Sequence, residues 1–302
     1  SALSFENITE LDFLKINLPS QFSRNTEIIL EISFKGVVSE FRPMGLFKSF
    51  IYDESSNLSW MIATIFKPTY ARMAFPCYDE PQIRATFQLS IRHDKSYKAI
   101  SNTPVVNRIT DQQDYVITQF ETTPLMQSYL LGFIVSKLDN IVNENVKLPQ
   151  RIYGDPEKLG NSHGAFAMKT VNEIHAKIVD IFGMQIALKK LDHVSVPNLN
   201  TVIENLGFIS YDENILLLNP NFMENVLEYQ KKVAIGFIAH EFMHQLMGNA
   251  AIKWWQFLWL HEGLATFYEH YIPSLLYPNY DYIEIFRMQI LDESFMIDNR
   301  NE

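Results

Sequence analysis

A chain of 302 residues, 47% hydrophobic and 13% aromatic, is long enough to bury a core in each of about two domains. A net charge of −10 at pH 7 argues against nucleic-acid binding, which draws on clustered Lys and Arg. No apolar run approaches the ~18 residues of a membrane span, and the opening SALSFENITE lacks the basic start and apolar centre of a signal peptide. Cys77 is the one cysteine, so no internal disulfide framework exists and cysteine usage leaves the redox compartment open. The sequons Asn7-Ile8-Thr9 and Asn57-Leu58-Ser59 favour a glycosylated protein of the cell surface or secretory pathway, with the cytoplasm as the alternative.

Residues 1–145 read as an antiparallel β domain. In TEIILEISFK (26–35) Ile28, Leu30, Ile32 and Phe34 alternate with polar residues, the period of a half-buried strand, and ATFQLSIRH (85–93) repeats it. SYLLGFIVS (128–136) is a continuous apolar run and predicts a fully buried strand; turn-rich DESSN (53–57) and HDKSYK (93–98) separate such elements. The polar stretch 139–150 marks a domain boundary. Residues 146–302 then take a helical period: a helix over 163–183 stopped by Gly183, one over 223–247 stopped by Gly248-Asn249, and one over 256–272 ending near Pro273. The run LDHVSV (191–196) predicts a strand within that second, mainly helical half.

HEFMH (240–244) carries the chemistry. His240 and His244, four apart on a helix, differ by about 40° in direction, so both imidazoles leave one face a turn apart, as two ligands of one Zn²⁺ require. Glu241 follows the first histidine, placed to take a proton from water attacking a carbonyl. The surrounding IGFIAHEFMHQLMG is otherwise apolar, and a bound metal satisfies the buried carboxylate and both imidazoles together. Glu262 on the next helix is the candidate third ligand and His261 its rival. Adjacent helical side chains diverge by about 100°, so only one is expected to face the metal.

The stretch WLHEGLA (259–265), preceded by Trp254-Trp255, together with HEFMH resembles the gluzincin M1 family of zinc aminopeptidases. YARMAFPCYDEPQIRATF (70–87), TPLMQSYLLGFIVSKL (123–138) and TVIENLGFISYDE (201–213) resemble further family segments, in the family's order. The resemblance implies an α+β multidomain protein, with an N-terminal β domain packed against a thermolysin-like, mainly helical zinc peptidase domain. It implies one Zn²⁺ held by His240, His244 and Glu262, with Glu241 as general base. Glu204 would accept the α-amino group of a peptide with a free N-terminus, and Asn205 lies beside it. Its partners would be such peptides, and a homodimer is allowed.

Several positions depart from the family pattern. The 17 residues between His244 and Glu262 (245–261) are one fewer than usual, a loss that falls in the turn GNAAIKWW (248–255). Thr201 and Ile203 stand where the family's exopeptidase motif has Gly and Met, and a β-branched residue adds bulk where backbone approach is wanted. Ile65 and Lys67 stand where the family has Gln and then a Glu or Gln that helps hold the substrate amine, and a cation in that second place repels what Glu204 attracts. Tyr211 and Tyr268 do not match the family's oxyanion tyrosine, which is expected beyond Glu302. The family's first strands are expected before Ser1, so the chain reads as an internal piece. The leading reading is a zinc aminopeptidase. The alternatives are a catalytically weakened relative that binds peptides or a partner, and a zinc endopeptidase.

Overall fold

The structure, a computed structural model, describes residues 3–18, 21–40, 42–52, 58–247 and 254–299. Its first strands are β1 (Ser4–Ile8), β2 (Phe13–Asn17), β3 (Gly45–Tyr52), β4 (Leu58–Ile65), β5 (Arg84–Ala85) and β6 (Ser90–Asp94). There follow β7 (Lys98–Ser101), β8 (Val105–Asp111), β9 (Tyr115–Phe120), β10 (Met126–Gln127) and β11 (Phe133–Ser136). All their ladders are antiparallel: the β1–β2 hairpin, the sheet β3-β4-β11-β7, the sheet β6-β9-β8 and the short pair β5-β10.

The second part comprises β12 (Asp139–Asn143), β13 (Gln150–Gly154), α1 (Pro156–Gly160), α2 (Ala165–Phe182), β14 (Leu191–Val196), β15 (Val202–Asn205) and β16 (Phe208–Asp212). It continues with α3 (Glu213–Leu216), α4 (Glu224–Met247), α5 (Leu258–Leu276), α6 (Tyr282–Ile285) and α7 (Asp292–Asp298). Its sheet runs β12-β13-β14-β16-β15, parallel through β13, β14 and β16 and antiparallel at both edges. Every residue of β14 and β16 is buried, because both faces of the sheet are covered. On one face Val194, Val196 and Phe208 share a core with Phe47, Met61, Ala63 and Ile134 of the β3-β4-β11-β7 sheet. On the other, Ile152, Ile209 and Tyr211 pack against Val171 and Ile174 of α2 and Ile238 and Phe242 of α4. Buried on nearly every side from Ala234 to Gln245, α4 is a core helix rather than an amphipathic one.

Several sequence expectations change. Segment 26–35 is not a strand: all its residues are exposed, and among the described residues its backbone bonds only the nearby Ser23 carbonyl, from Thr26 N at 3.2 Å. A groove of about 1050 Å³ separates it from the β1–β2 hairpin, with Phe5, Phe13, Ile29 and Phe34 along its walls. The 85–93 run is broken: Ala85 ends the short β5 paired with β10, and β6 begins at Ser90; in 128–136 a 3-10 turn, Ser128–Leu130, precedes β11. Within 139–150, read as a domain boundary, Asp139–Asn143 forms β12 and so the edge of the second sheet. Helix α5 continues past Pro273 to Leu276, since the Pro273 carbonyl still accepts from Tyr277 N at 2.7 Å. The 163–183 and 223–247 helices and the 191–196 strand form as read, with Gly183 left-handed (φ 65°) at the end of α2. The 53–57 turn, Asn57, Gly248-Asn249 and the shortened part of the 248–255 turn through residue 253 lie outside the described residues.

The two parts meet at the β15–β16 turn. Asn102 Nδ2 donates to the carbonyls of Leu130 and Leu206, both at 2.8 Å, and Asn102 Oδ1 accepts from Gly132 N at 2.9 Å. The buried Lys190 ammonium bonds Asp192 Oδ2 (2.7 Å), Gly207 O (2.9 Å) and the Ser101 carbonyl. Gly207 adopts φ 71°, and a Cβ there would lie 2.5 Å from Asn102 O. Both the left-handed backbone and the contact demand glycine. We expect Gly207→Ala to lose about 3 kcal/mol of stability, read as a lower midpoint of urea unfolding. Gly160→Ala, whose Cβ would meet nothing within 4 Å, should stay within about 0.5 kcal/mol of the parent.

Candidate metal centre

Helix α4 presents His240, Glu241 and His244, and α5, lying against it, presents His261, Glu262 and Glu269. His240 Nε2 and His244 Nε2 are 3.0 Å apart, and Glu262 Oε2 lies 3.6 Å from the first and 3.5 Å from the second. A tetrahedral zinc with bonds of about 2.0–2.1 Å sets its donors about 3.3 Å from one another. The three atoms therefore outline one face of such a tetrahedron, and the donor set fits the metal.

His261 is buried as well, at 1% exposure, and its ring stacks on His244 at 4.3 Å. Burial, then the neighbouring His244, push it down to about 4, so it stays neutral. The expectation that one of the adjacent pair turns away is thus only half met. His261 stays within the wider cluster of Glu204, His244 and Glu262, while Glu262 alone of the two is paired with both imidazole Nε2 atoms.

Glu269, which the sequence reading missed, accepts from His240 Nδ1 at 2.9 Å. It lies seven residues beyond Glu262, on the same face of α5, and that spacing was its only signal. The bond fixes the tautomer that leaves His240 Nε2 aimed at Glu262 and His244. Burial opposes a charge on His240, but its hydrogen bonds to Glu262 and Glu269 prevail and raise it to about 10. Glu262 is held far below the usual carboxylate range: burial works against its charge, and the bonds to His240 and His244, with Lys67, overcome it. The two shifts describe imidazoles, an ammonium and carboxylates that hold one another charged.

Glu241 is 3% exposed, and burial raises its carboxyl to about 7. Its Oε2 is buried without a hydrogen-bond partner among the described residues. Glu204, 7% exposed, sits on the edge strand β15. Lys67, just beyond the end of β4, donates to Glu204 Oε1 and, at 2.6 Å, to Glu262 Oε1. Burial opposes the charge of Lys67, yet the two carboxylates hold its pKa above the ordinary lysine value. Sequence reasoning expected repulsion of a substrate amine from Lys67; the structure gives that lysine both carboxylates as partners.

Asn205 faces elsewhere: its Nδ2 donates to Leu131 O at 3.1 Å and Tyr129 O at 3.4 Å, tying β15 to the N-terminal part. Gln245 Nε2 donates to Asn205 O at 3.1 Å, and its Oε1 accepts from Gly207 N at 2.7 Å, tying β15 to α4. Thr201 is exposed in the bend before β15. Tyr211 is wholly buried with its hydroxyl on His193 Nδ1 at 3.0 Å. Tyr129 also escaped the sequence reading. Burial, then the Glu204 charge, raise its phenol, and no pattern within TPLMQSYLLG distinguishes it from core.

Comparison with known proteins decides the family. The peptidase M1 N-terminal domain matches residues 3–130, and the peptidase family M1 domain matches residues 166–302. The chain belongs to peptidase family M1. It is 32% identical to Aminopeptidase Q of Acinonyx jubatus over 290 residues, 93% of this chain and 29% of that protein. It is 31% identical to Aminopeptidase Q of Mus musculus over 288 residues, covering 93% and 51%. With Glutamyl aminopeptidase of Sus scrofa the identity is 37% over 221 residues, 72% of this chain and 23% of the relative. The chain therefore spans between about a quarter and a half of these relatives' lengths. Peptidases of family M1 are zinc enzymes, and the donor set of this M1 chain fits that metal. Glu269→Ala should weaken zinc binding about 10–100-fold in competition with a chromophoric chelator, by freeing the His240 ring.

Proposed function

We propose that this chain carries the catalytic centre of a zinc-dependent aminopeptidase, with His240, His244 and Glu262 holding the metal. The observation that carries the reading is the near-tetrahedral face of His240 Nε2, His244 Nε2 and Glu262 Oε2, with the buried carboxylate of Glu204 beside it on a sheet edge. When bound, zinc supplies a Lewis acid for the scissile carbonyl and the attacking water.

The protein's own groups supply the rest. Glu241, raised to about 7 by burial, is poised near neutral pH to take the proton from water and pass it to the departing amine. Among the described residues strand β15 pairs with no strand but β16, so its outer edge offers backbone donors and acceptors to an extended peptide. Glu204 on that strand is the acceptor for the peptide's α-ammonium, a charge-assisted contact that favours unblocked N-termini. The exposed Asn7 on β1 suits a glycosylated, secretory or cell-surface protein.

A second reading has one specific observation in its favour. The Lys67 ammonium already bridges Glu204 and Glu262, which suits a relative that binds peptides or a partner without efficient turnover. The purified protein should bind about one zinc per chain and release single amino acids from aminoacyl amides. Glu241→Gln should keep the zinc and lower kcat by about 10²–10⁴. Stoichiometric zinc without turnover of any free-amine substrate sinks the aminopeptidase and leaves the binding module.

A further inference from the structure

Two carboxylates converge on one ammonium in this site, and that ammonium belongs to the protein. Lys67 Nζ donates to Glu204 Oε1 and Glu262 Oε1, so the buried carboxylate of Glu204 already has a cation on one of its oxygens. Glu262 turns its other oxygen, Oε2, to His240 and His244. One carboxylate thus serves the histidine cluster and Lys67 through different atoms, so occupation of the metal centre does not require Lys67 to leave.

An alkylammonium of a lysine and the α-ammonium of a peptide make the same hydrogen bonds and carry the same charge. A carboxylate as buried as Glu204 does not stay unpaired without penalty, so a substrate amine reaches it by exchanging with the cation already there. The geometry allows that exchange. The preceding Phe66 is fully buried and anchors the backbone, whereas the Lys67 side chain is 21% exposed on a flexible four-carbon stem with solvent to swing into.

We propose that Lys67 is a built-in competitor for the substrate's ammonium, a specificity-determining residue that raises the concentration of free-amine peptide needed to fill the site. This rests on the reading of Glu204 as ammonium acceptor. Only the fraction of molecules with Lys67 displaced binds such a ligand, so apparent affinity falls by that fraction while the chemical step is unchanged once the site is filled. Lys67 therefore acts on KM rather than on kcat. A ligand with an acylated N-terminus carries no ammonium and does not compete.

Calorimetry with leucinamide and N-acetyl-leucinamide tests this on zinc-loaded protein carrying Glu241→Gln, which keeps the metal and slows hydrolysis of leucinamide, as the parent for the Lys67 variants. Lys67→Met should bind leucinamide at least tenfold tighter than the parent, with N-acetyl-leucinamide unchanged. With Glu241 retained, KM for aminoacyl amides should fall by a similar factor at nearly constant kcat. Equal leucinamide affinity in parent and variant, or an equal gain for the acetylated ligand, overturns the proposal. Should Lys67→Met fail to fold, Lys67→Gln retains an N–H donor for the carboxylates and is expected to shift in the same direction. As a readout free of turnover, n-propylammonium should raise the Tm of Lys67→Ala, by filling the vacated position, and leave the parent's Tm unchanged. Tighter leucinamide binding by the variant without any turnover would refute the aminopeptidase and keep the competitor; turnover without tighter binding would do the reverse.

Discussion

Gly207 allows the backbone of the β15–β16 turn to lie against Asn102, and the rest of the molecule is arranged around that contact. The turn carries β15 on one side and the buried β16 on the other. Asn102 and Asn205 reach across the junction in opposite directions to the carbonyls of 129–131 and of Leu206, so each part satisfies backbone groups of the other. Lys190 adds a desolvated ammonium whose partners, Asp192, Ser101 O and Gly207 O, also come from both sides. Burial lowers its pKa, and Asp192 opposes that shift. Breaking one partner of such a buried set leaves the others uncompensated, which makes the junction specific as well as adhesive.

The site depends on the junction because its parts come from separate elements. Lys67 follows β4 of the N-terminal part, Glu204 lies on the edge of the second sheet, and the histidines and their acidic partners lie on α4 and α5. Four carboxylates, Glu204, Glu241, Glu262 and Glu269, surround one ammonium and the three imidazoles of His240, His244 and His261. Burial weakens solvent screening, so opposite charges hold one another ionised: the carboxylates raise the proton affinity of His240, while His240, His244 and Lys67 depress that of Glu262.

The helical half of this arrangement was legible in the sequence. The four-residue interval of His240 and His244 and the burial implied by IGFIAHEFMHQLMG are local facts, and α2, α4 and β14 follow from local periodicity. What escaped needed a partner that sequence does not name. The alternation at 26–35 assigns faces to side chains, but a strand also requires a neighbouring strand, and none pairs with it among the described residues. The polar 139–150 stretch reads as a domain boundary because an edge strand is half solvated, although its first five residues, Asp139–Asn143, pair with β13. Glu269, Gln245 and Tyr129 matter only once α4, α5 and β15 are adjacent. Lys67 reads in the sequence as a cation that repels a substrate amine, but its double pairing depends on partners 137 and 195 positions away folding back to it.

Gln245 follows His244 directly, and its amide grips both the Asn205 carbonyl and the Gly207 N–H. The helix that bears two of the histidine donors is therefore bolted to the strand that bears Glu204, one residue from a donor at one end and one residue from Glu204 at the other. Any tilt of α4 carries the strand with it, so the interval between the histidine cluster and Glu204 behaves as a rigid ruler rather than a hinge. A site built on such a ruler measures its ligand by length before it judges side chains, and small motions between the two parts of the chain leave that measure intact.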